Sequence, residues 1–118
     1  MSAINRAGYP LQGTPYLVHL QHLLAAEGQS NSKQVAYLCG ELGYLLHAQG
    51  DLSGARPYYE RALAINEQAL GSTHPDTARS LNNLGALLDT MGDLAGARPL
   101  YERALAVRGQ ALGPTHPD

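Results

Sequence analysis

The chain of 118 residues is long enough for one domain with a modest hydrophobic core. Hydrophobic residues make up 44% and charged residues 15%, a balance that favours a folded domain over a disordered one. Ten acidic and eight basic side chains give a formal charge of −2 without a basic stripe, which argues against nucleic acid or an anionic membrane as the partner.

The N-terminal stretch, residues 1–13, is expected to be irregular because it contains two glycines and a proline. It also lacks the apolar core of a signal peptide, and no apolar run in the sequence approaches the roughly 20 residues of a membrane span. Cys39, the single cysteine, cannot form an internal disulfide, which agrees with a reducing compartment. We therefore expect a cytoplasmic protein.

Residues 14–28 form the first predicted element, an amphipathic helix that closes with Gly28. This helix is either a cap over the first face of the fold or the remnant of a decayed repeat unit, and we favour the cap. His19 and His22 lie three residues apart on it, without an acidic or thiol ligand nearby in the sequence. Solvated or packing histidines are therefore a better interpretation than a metal site.

The rest of the sequence repeats with a period of 42 residues. Residues 50–76 align with residues 92–118 at 21 identical positions of 27, and AYLCGELGYLL at 36–46 aligns with ARSLNNLGALL at 78–88. A fixed period in the range of about 20–50 residues is typical of a stacked array rather than of a compact catalytic domain. We assign a first unit to residues 33–71, a second to residues 75–113, and the start of a truncated third to residues 114–118.

Each unit is predicted to contain two helices, because leucines and alanines recur at helical spacing on either side of a Gly-Asp pair. In the second unit, Gly92 permits a left-handed end to the first helix, and Asp93 can accept hydrogen bonds from the free amides of the next. Small residues such as Gly85 would allow the two helices to approach closely. Pro57 and Pro99 fall inside the second helices, so those helices either start later or kink.

The tripeptide His-Pro-Asp occurs twice, at residues 74–76 and 116–118. A catalytic His/Asp pair, the HPD signature of J-domain co-chaperones and a linker between repeat units are the alternatives. Its recurrence with the 42-residue period, without a nucleophile at fixed spacing, favours the linker. Pro75 suits the first turn of a helix, where its missing N–H is not needed, and Asp76 complements the positive end of the helix dipole.

The pattern L-x2-L-G-x2-L…G…A-x3-Y-x2-A resembles the tetratricopeptide repeat, with Cys39 and Leu81 in place of the usual tryptophan. The period, the LNNLG stretch at 81–85 and the YERALAI-…-ALG-x-x-HPD run are similar to the kinesin-light-chain type, which also occurs in bacterial signalling proteins behind a nucleotide-binding switch. The resemblance covers about residues 33–118. It implies an all-α fold in which TPR-like helix-turn-helix repeats stack as a right-handed superhelical solenoid of about five helices.

The resemblance also implies a concave groove, lined by the first helix of each unit, in which such proteins hold an extended peptide. Asn82 and Asn83 suit this role because an amide side chain offers a peptide backbone both a donor and an acceptor. Tyr37 and Tyr44 provide flat walls with polar tips, although packing of Tyr44 between units is an equal alternative. The predicted groove residues are Tyr37, Gly40, Glu41, Tyr44, His47, Arg79, Asn82, Asn83, Ala86 and Asp89.

We expect a protein-binding module that docks a peptide or partner helix in this groove, without a catalytic site, cofactor or metal. Cys39 lies on an apolar stripe and is predicted to be a core residue, and the sequence has no phosphate-binding GxxxxGK[ST] loop. The alternative is a structural role, as a scaffold or sensor arm of a larger signalling protein. An uncovered apolar face on the helix over 94–112 leaves two further alternatives, self-association or a fragment of a longer array.

Overall fold

The computed structural model describes residues 14–27 and 32–112 of the chain. The described residues form only helices and their connections, so the predicted all-α repeat fold is confirmed. Segments 1–13 and 114–118 lie outside the described residues, and the handedness of the superhelix and the unit boundaries stay predictions. The helices are α1 (Thr14–Glu27), α2 (Lys33–Ala48), α3 (Leu52–Leu70), α4 (Pro75–Thr90) and α5 (Leu94–Leu112).

The helices pack in the order in which they follow one another along the chain. Helix α2 pairs with α3 and α4 pairs with α5, so each predicted unit is a helical hairpin. Helix α3 packs on α4 and joins the two hairpins, and α1 packs on α2. The first helices of the two units, α2 and α4, also touch each other, and the candidate site lies between them.

The turn inside each hairpin has the same geometry in both units. Gly50 and Gly92 each have a φ of 86°, a left-handed backbone conformation that is unfavourable for residues other than glycine. Asp51 then caps α3, since its Oδ1 accepts a hydrogen bond of 3.0 Å from the Gly54 N–H. Asp93 caps α5 in the same way at 2.9 Å. The predicted Gly-Asp turn is confirmed in both units.

The two prolines lie within continuous helix. Helix α3 begins at Leu52 and runs through Pro57, and α5 runs through Pro99 from its first residue. The interpretation in which these helices start after the prolines is therefore wrong. The aspartate caps fix the start of each helix. Burial of the apolar residues that follow the proline in each helix offsets the loss of the one backbone hydrogen bond that proline cannot donate.

The first His-Pro-Asp copy is the start of α4. Pro75 is the first residue of the helix, and His74 caps it by accepting a hydrogen bond of 3.0 Å at Nδ1 from the Asp76 N–H. The Thr77 hydroxyl donates a bond of 2.7 Å to the Gly71 carbonyl, which fastens α4 to the end of α3. The linker interpretation is confirmed for residues 74–76, and the second copy lies outside the described residues.

The core consists of three hydrophobic clusters along the stack. The first joins Leu20 and Leu24 of α1 to α2 and α3, and it contains Cys39, which is fully buried. Cys39 is therefore a core residue as predicted, and burial raises the pKa of its thiol above the ordinary value. The third cluster lies between α4 and α5. The middle cluster spans both units, and its buried members are Leu46, Ala55, Tyr59, Leu84 and Leu87.

Two glycines let a tyrosine ring lie directly on the first helix of each unit. A Cβ atom at Gly43 would stand 2.6 Å from Cδ1 of Tyr59, and one at Gly85 would stand 3.0 Å from Cε1 of Tyr101. Tyr59 is only 2% exposed, and its burial raises the pKa of its hydroxyl to about 12. The close helix approach predicted from the small residues is thus confirmed.

Candidate functional site between helices α2 and α4

A cavity of about 330 Å³ lies between the first helices of the two units. Helix α2 forms one wall, helix α4 forms the other, and the end of α3 supplies the floor. The predicted groove residues that line it are Tyr37, Gly40, Glu41, Tyr44, Arg79 and Asn83. The other lining residues are Lys33, Ala36, Asn66, Asp76 and Ser80.

Four predicted groove residues do not line this cavity: His47, Asn82, Ala86 and Asp89. The imidazole of His47 instead bonds to Thr90 at the far end of α4, with 3.0 Å between Nε2 and Oγ1. The Thr90 hydroxyl donates its proton to the Ala86 carbonyl at 2.9 Å, so His47 Nε2–H is the donor of the bond between the helices. This bond ties the ends of α2 and α4 together.

Asp89 also has a structural contact within its own hairpin. Its carboxylate shares a hydrogen bond with the hydroxyl of Tyr101 on α5. Burial, followed by the charge of Asp89, raises the pKa of the Tyr101 hydroxyl above its ordinary value. The Asp89 side chain therefore connects α4 to α5 rather than lining the cavity.

Two exposed aromatic rings stand on the α2 wall. Tyr37 and Tyr44 are each 62% exposed, so Tyr44 does not pack between units. Gly40 lies between them, and the space where its side chain would be is open, with no heavy atom within 4 Å. Glu41 is beside Tyr37, and its carboxylate accepts a hydrogen bond from the Tyr37 hydroxyl. The charge of Glu41 is the main cause of a raised pKa of that hydroxyl. The α2 wall therefore offers two rings, a gap and a carboxylate.

The floor of the cavity is a buried polar contact that sequence reasoning missed. Asn66 is 8% exposed, and its Nδ2 donates to the Ser80 hydroxyl at 2.8 Å and to the Asp76 carbonyl at 3.4 Å. A signal was present, because Asn66 follows Tyr59 and Ala62 at helical spacing on the buried stripe of α3. A polar residue on a buried stripe requires a partner, and here that partner is on the next unit.

In the part of the chain that the structure describes, some charged side chains around the cavity form ion pairs and others do not. Arg79 forms an ion pair with Asp76, with 2.9 Å between Nη2 and Oδ1. None of the ion pairs within the described residues includes Glu41. In the same part of the chain, no three histidine, cysteine or carboxylate side chains are grouped as metal ligands, and His19 and His22 are exposed on α1. No helix described here is both long and apolar enough to cross a bilayer.

Comparison with known proteins identifies the fold. The sequence profile of the tetratricopeptide repeat matches residues 34–110, well over half of the chain, and these residues comprise nearly all of the two hairpins. This chain belongs to the tetratricopeptide-repeat family. The resemblance predicted from the L-x2-L-G-x2-L pattern and its 42-residue period is therefore confirmed. TPR units are generally protein-interaction modules, and the TPR fold is a repeat architecture rather than an enzyme fold.

Two curated relatives place such TPR units within much longer proteins. The "Clustered mitochondria protein" of Arabidopsis thaliana is 43% identical over 51 residues, which is 43% of this chain and 4% of that protein. A "Nucleotide-binding leucine-rich repeat (NLR)-like protein" of Hyaloscypha variabilis is 33% identical over 69 residues, or 57% of this chain and 7% of that protein. The TPR chain thus spans only a small part of the length of these relatives.

Proposed function

We propose that this TPR chain binds a peptide or helix of a protein partner in the groove between α2 and α4, without a chemical step. The observation that carries the proposal is that the two units keep most of their buried residues, whereas the residues of the α2 wall differ from those at the equivalent positions of α4. Shifted by 42 residues, buried Leu42 and Gly43 keep their identity. The wall residues change from Tyr37 to Arg79, from Gly40 to Asn82, from Glu41 to Asn83 and from Tyr44 to Ala86.

Exposure alone does not account for this difference. Arg56 and Glu60 on α3 are 44% and 51% exposed, and their counterparts Arg98 and Glu102 on α5 are 81% and 70% exposed. Both pairs are nevertheless identical between the units. These exposed pairs on the second helices are therefore kept, while the wall positions of the first helices change, which is the pattern expected if the first helices recognise a partner.

The groove offers a partner both hydrogen bonds and flat apolar contacts. Asn83 presents a donor and an acceptor to a peptide backbone, and the two tyrosines on α2 present exposed rings. The cavity volume of about 330 Å³ is sufficient for one or two side chains of a partner. Two units form a short groove, so we expect this chain alone to bind weakly.

Replacing Asn83 by alanine should weaken recovery of the partner. Each lost amide hydrogen bond is worth about 1 kcal/mol, so two such bonds correspond to roughly 10–30-fold in affinity. The measurement is a pull-down from host lysate with the full chain, quantified against wild type. Circular dichroism should give the same helix content for both proteins, because Asn83 is not part of the core.

The matched control for this experiment is Gln68→Ala, which removes an exposed amide from α3, away from the cavity. The proposal predicts a partner that is lost with Asn83→Ala and retained with Gln68→Ala. Equal recovery of every protein by the wild type and both variants would exclude recognition through the groove.

A structural role is the second candidate, and the surface of α5 favours it. Leu94 and Leu105 of α5 are 64% and 70% exposed. Their counterparts on α3, Leu52 and Leu63, pack against the hydrophobic clusters that α4 completes. The leucines that α4 covers on α3 thus have exposed counterparts on α5. A further helix of an array, or a second molecule, would fit on this exposed surface of α5.

Self-association through this face gives a separate prediction. If two molecules pair there, light scattering at increasing concentration should show a rising mass for wild type and a monomer for Leu105→Glu, which places a charge in the interface. Gln68→Glu adds the same charge to an exposed position on α3 and should behave as wild type. A constant monomer mass for all three proteins would exclude pairing through α5.

A further inference from the structure

We infer that the groove accepts a basic side chain of the partner, arginine in preference to lysine, in the gap between Tyr37 and Tyr44 beside Glu41. This inference rests on the proposed function, and it adds the chemistry of the group that is recognised. It follows from three properties of the α2 wall: the spacing of the two rings, the open space at Gly40 and the carboxylate of Glu41, which is in no ion pair within the described residues.

The spacing of the rings suits one flat or narrow group. Tyr37 and Tyr44 are seven residues apart and on the same face of α2, so their Cα atoms are separated by about 10 Å along the helix axis. Both rings are 62% exposed and lie against the same cavity. A guanidinium between them would lie beside two aromatic rings, whose faces attract cations through their quadrupole.

Gly40 makes this gap accessible from the cavity. A side chain at this position would project between the two rings, whereas the glycine leaves that space open. Gly40 is inside α2 and has no left-handed backbone conformation, so the turn geometry does not require a glycine there. A glycine inside a helix costs about 1 kcal/mol relative to alanine, and access for a partner side chain explains its presence.

The charges favour a cation over an anion at this end of the cavity. Glu41 lines the cavity one residue after Gly40, and it is not in an ion pair within the described residues. Arg79, across the cavity, forms an ion pair with Asp76 at 2.9 Å, and its charge partly offsets the rise in the pKa of the Tyr37 hydroxyl. Lys33, the first residue of α2, also lines the cavity, one helical turn before Tyr37 and two turns before Glu41. Of the two acidic residues that line the cavity, Glu41 is the one without an ion pair in the described part of the chain, so a guanidinium in the gap would meet its carboxylate.

The second unit lacks this arrangement of rings and carboxylate. The proposed preference for a basic side chain therefore belongs to α2. The positions equivalent to Tyr37, Gly40, Glu41 and Tyr44 are Arg79, Asn82, Asn83 and Ala86. Of these residues, Arg79 and Asn83 line the cavity, and they provide one cation and one amide but no ring and no carboxylate. The α4 wall is therefore suited to backbone hydrogen bonds, and the α2 wall is suited to a basic side chain.

The test is a selection from a phage-displayed library of random dodecapeptides against the full 118-residue chain. Recovered peptides are synthesised, and their affinities are measured by fluorescence anisotropy for wild type, Glu41→Lys, Tyr44→Ala, Asn83→Ala and the surface control Gln68→Ala. We expect the peptides to share an arginine. Replacing it by norleucine should weaken binding to wild type about 5–30-fold, and replacing it by lysine should weaken binding less.

The variants separate this inference from the proposed function. Glu41→Lys should lose the arginine peptides and, in a selection of its own, recover acidic peptides instead. Peptides that need Asn83 but share an acidic or apolar anchor, or arginine peptides that bind Glu41→Lys as well as wild type, would overturn the inference and leave groove binding intact. Peptides that bind all variants equally, or no enrichment over an empty surface, would overturn both.

Discussion

Replacing Leu87 by alanine should lower the free energy of unfolding by about 2–5 kcal/mol, the range for truncating a buried leucine. Leu87 is 0% exposed and lies in the middle cluster with Leu46 and Tyr59. That cluster includes residues from both hairpins, so the cavity left by the truncation would open between units. The measurement is urea unfolding of the full chain followed by circular dichroism at 222 nm.

The control is the same substitution at an exposed leucine. Leu105→Ala removes the same atoms from a side chain that is 70% exposed, and it should change the free energy of unfolding by less than about 0.5 kcal/mol. An effect of Leu87→Ala no larger than that of Leu105→Ala would mean that the two hairpins do not share a core.

Replacing Gly43 by alanine should also destabilise the chain, by up to about 2 kcal/mol, since an overpacking cost of about 1–3 kcal/mol is reduced by the gain in helix propensity. The new methyl group would lie 2.6 Å from Cδ1 of Tyr59, whose ring is held in the core at 2% exposure and cannot move aside without disturbing its neighbours. Alanine favours the helix over glycine by about 1 kcal/mol. The measured decrease in the free energy of unfolding is therefore the overpacking cost minus this gain. Thermal and urea unfolding both report this loss.

Gly85→Ala is the matched control, because it is the same change at the equivalent position of the second unit. Its methyl group would meet Tyr101 at 3.0 Å, but that ring is half-buried on α5, which has no further helix over it among the described residues. Tyr101 can shift outward, so the expected change is within about 0.5 kcal/mol of zero. Equal losses for both substitutions would show that the two rings are equally constrained.

The features predicted from the sequence are those set by local geometry and by periodicity. The Gly-Asp turns at 50–51 and 92–93 follow from backbone conformation and capping, which depend on a few adjacent residues. The start of α4 at Pro75 follows from the same kind of local rule. The 42-residue period then gives the hairpin architecture, because the same apolar stripes must be buried in each unit.

The features that were missed depend on how one helix sits against another. Asn66 and Ser80 meet across two units, and His47 meets Thr90 over a separation of 43 residues. A helical stripe indicates which face of a helix is buried, but not which side chain of the neighbouring helix lies opposite. Asn82 and Asn83 are also adjacent in sequence and differ by about 100° around the helix, so only the packed structure shows that Asn83 lines the cavity.

The closely similar apolar stripes of α3 and α5 also have a consequence for how such a protein can change length. A copy of residues 50–91 inserted after residue 91 would pair α4 with a second copy of α3, in the position that α5 occupies now. The copied α3 and α4 would then form a second junction with the same side chains as the first. Growth or loss of the array in steps of 42 residues therefore requires no new complementary surface. The wall residues of each added unit would then be free to diverge, so the number of units and the choice of partner can evolve separately.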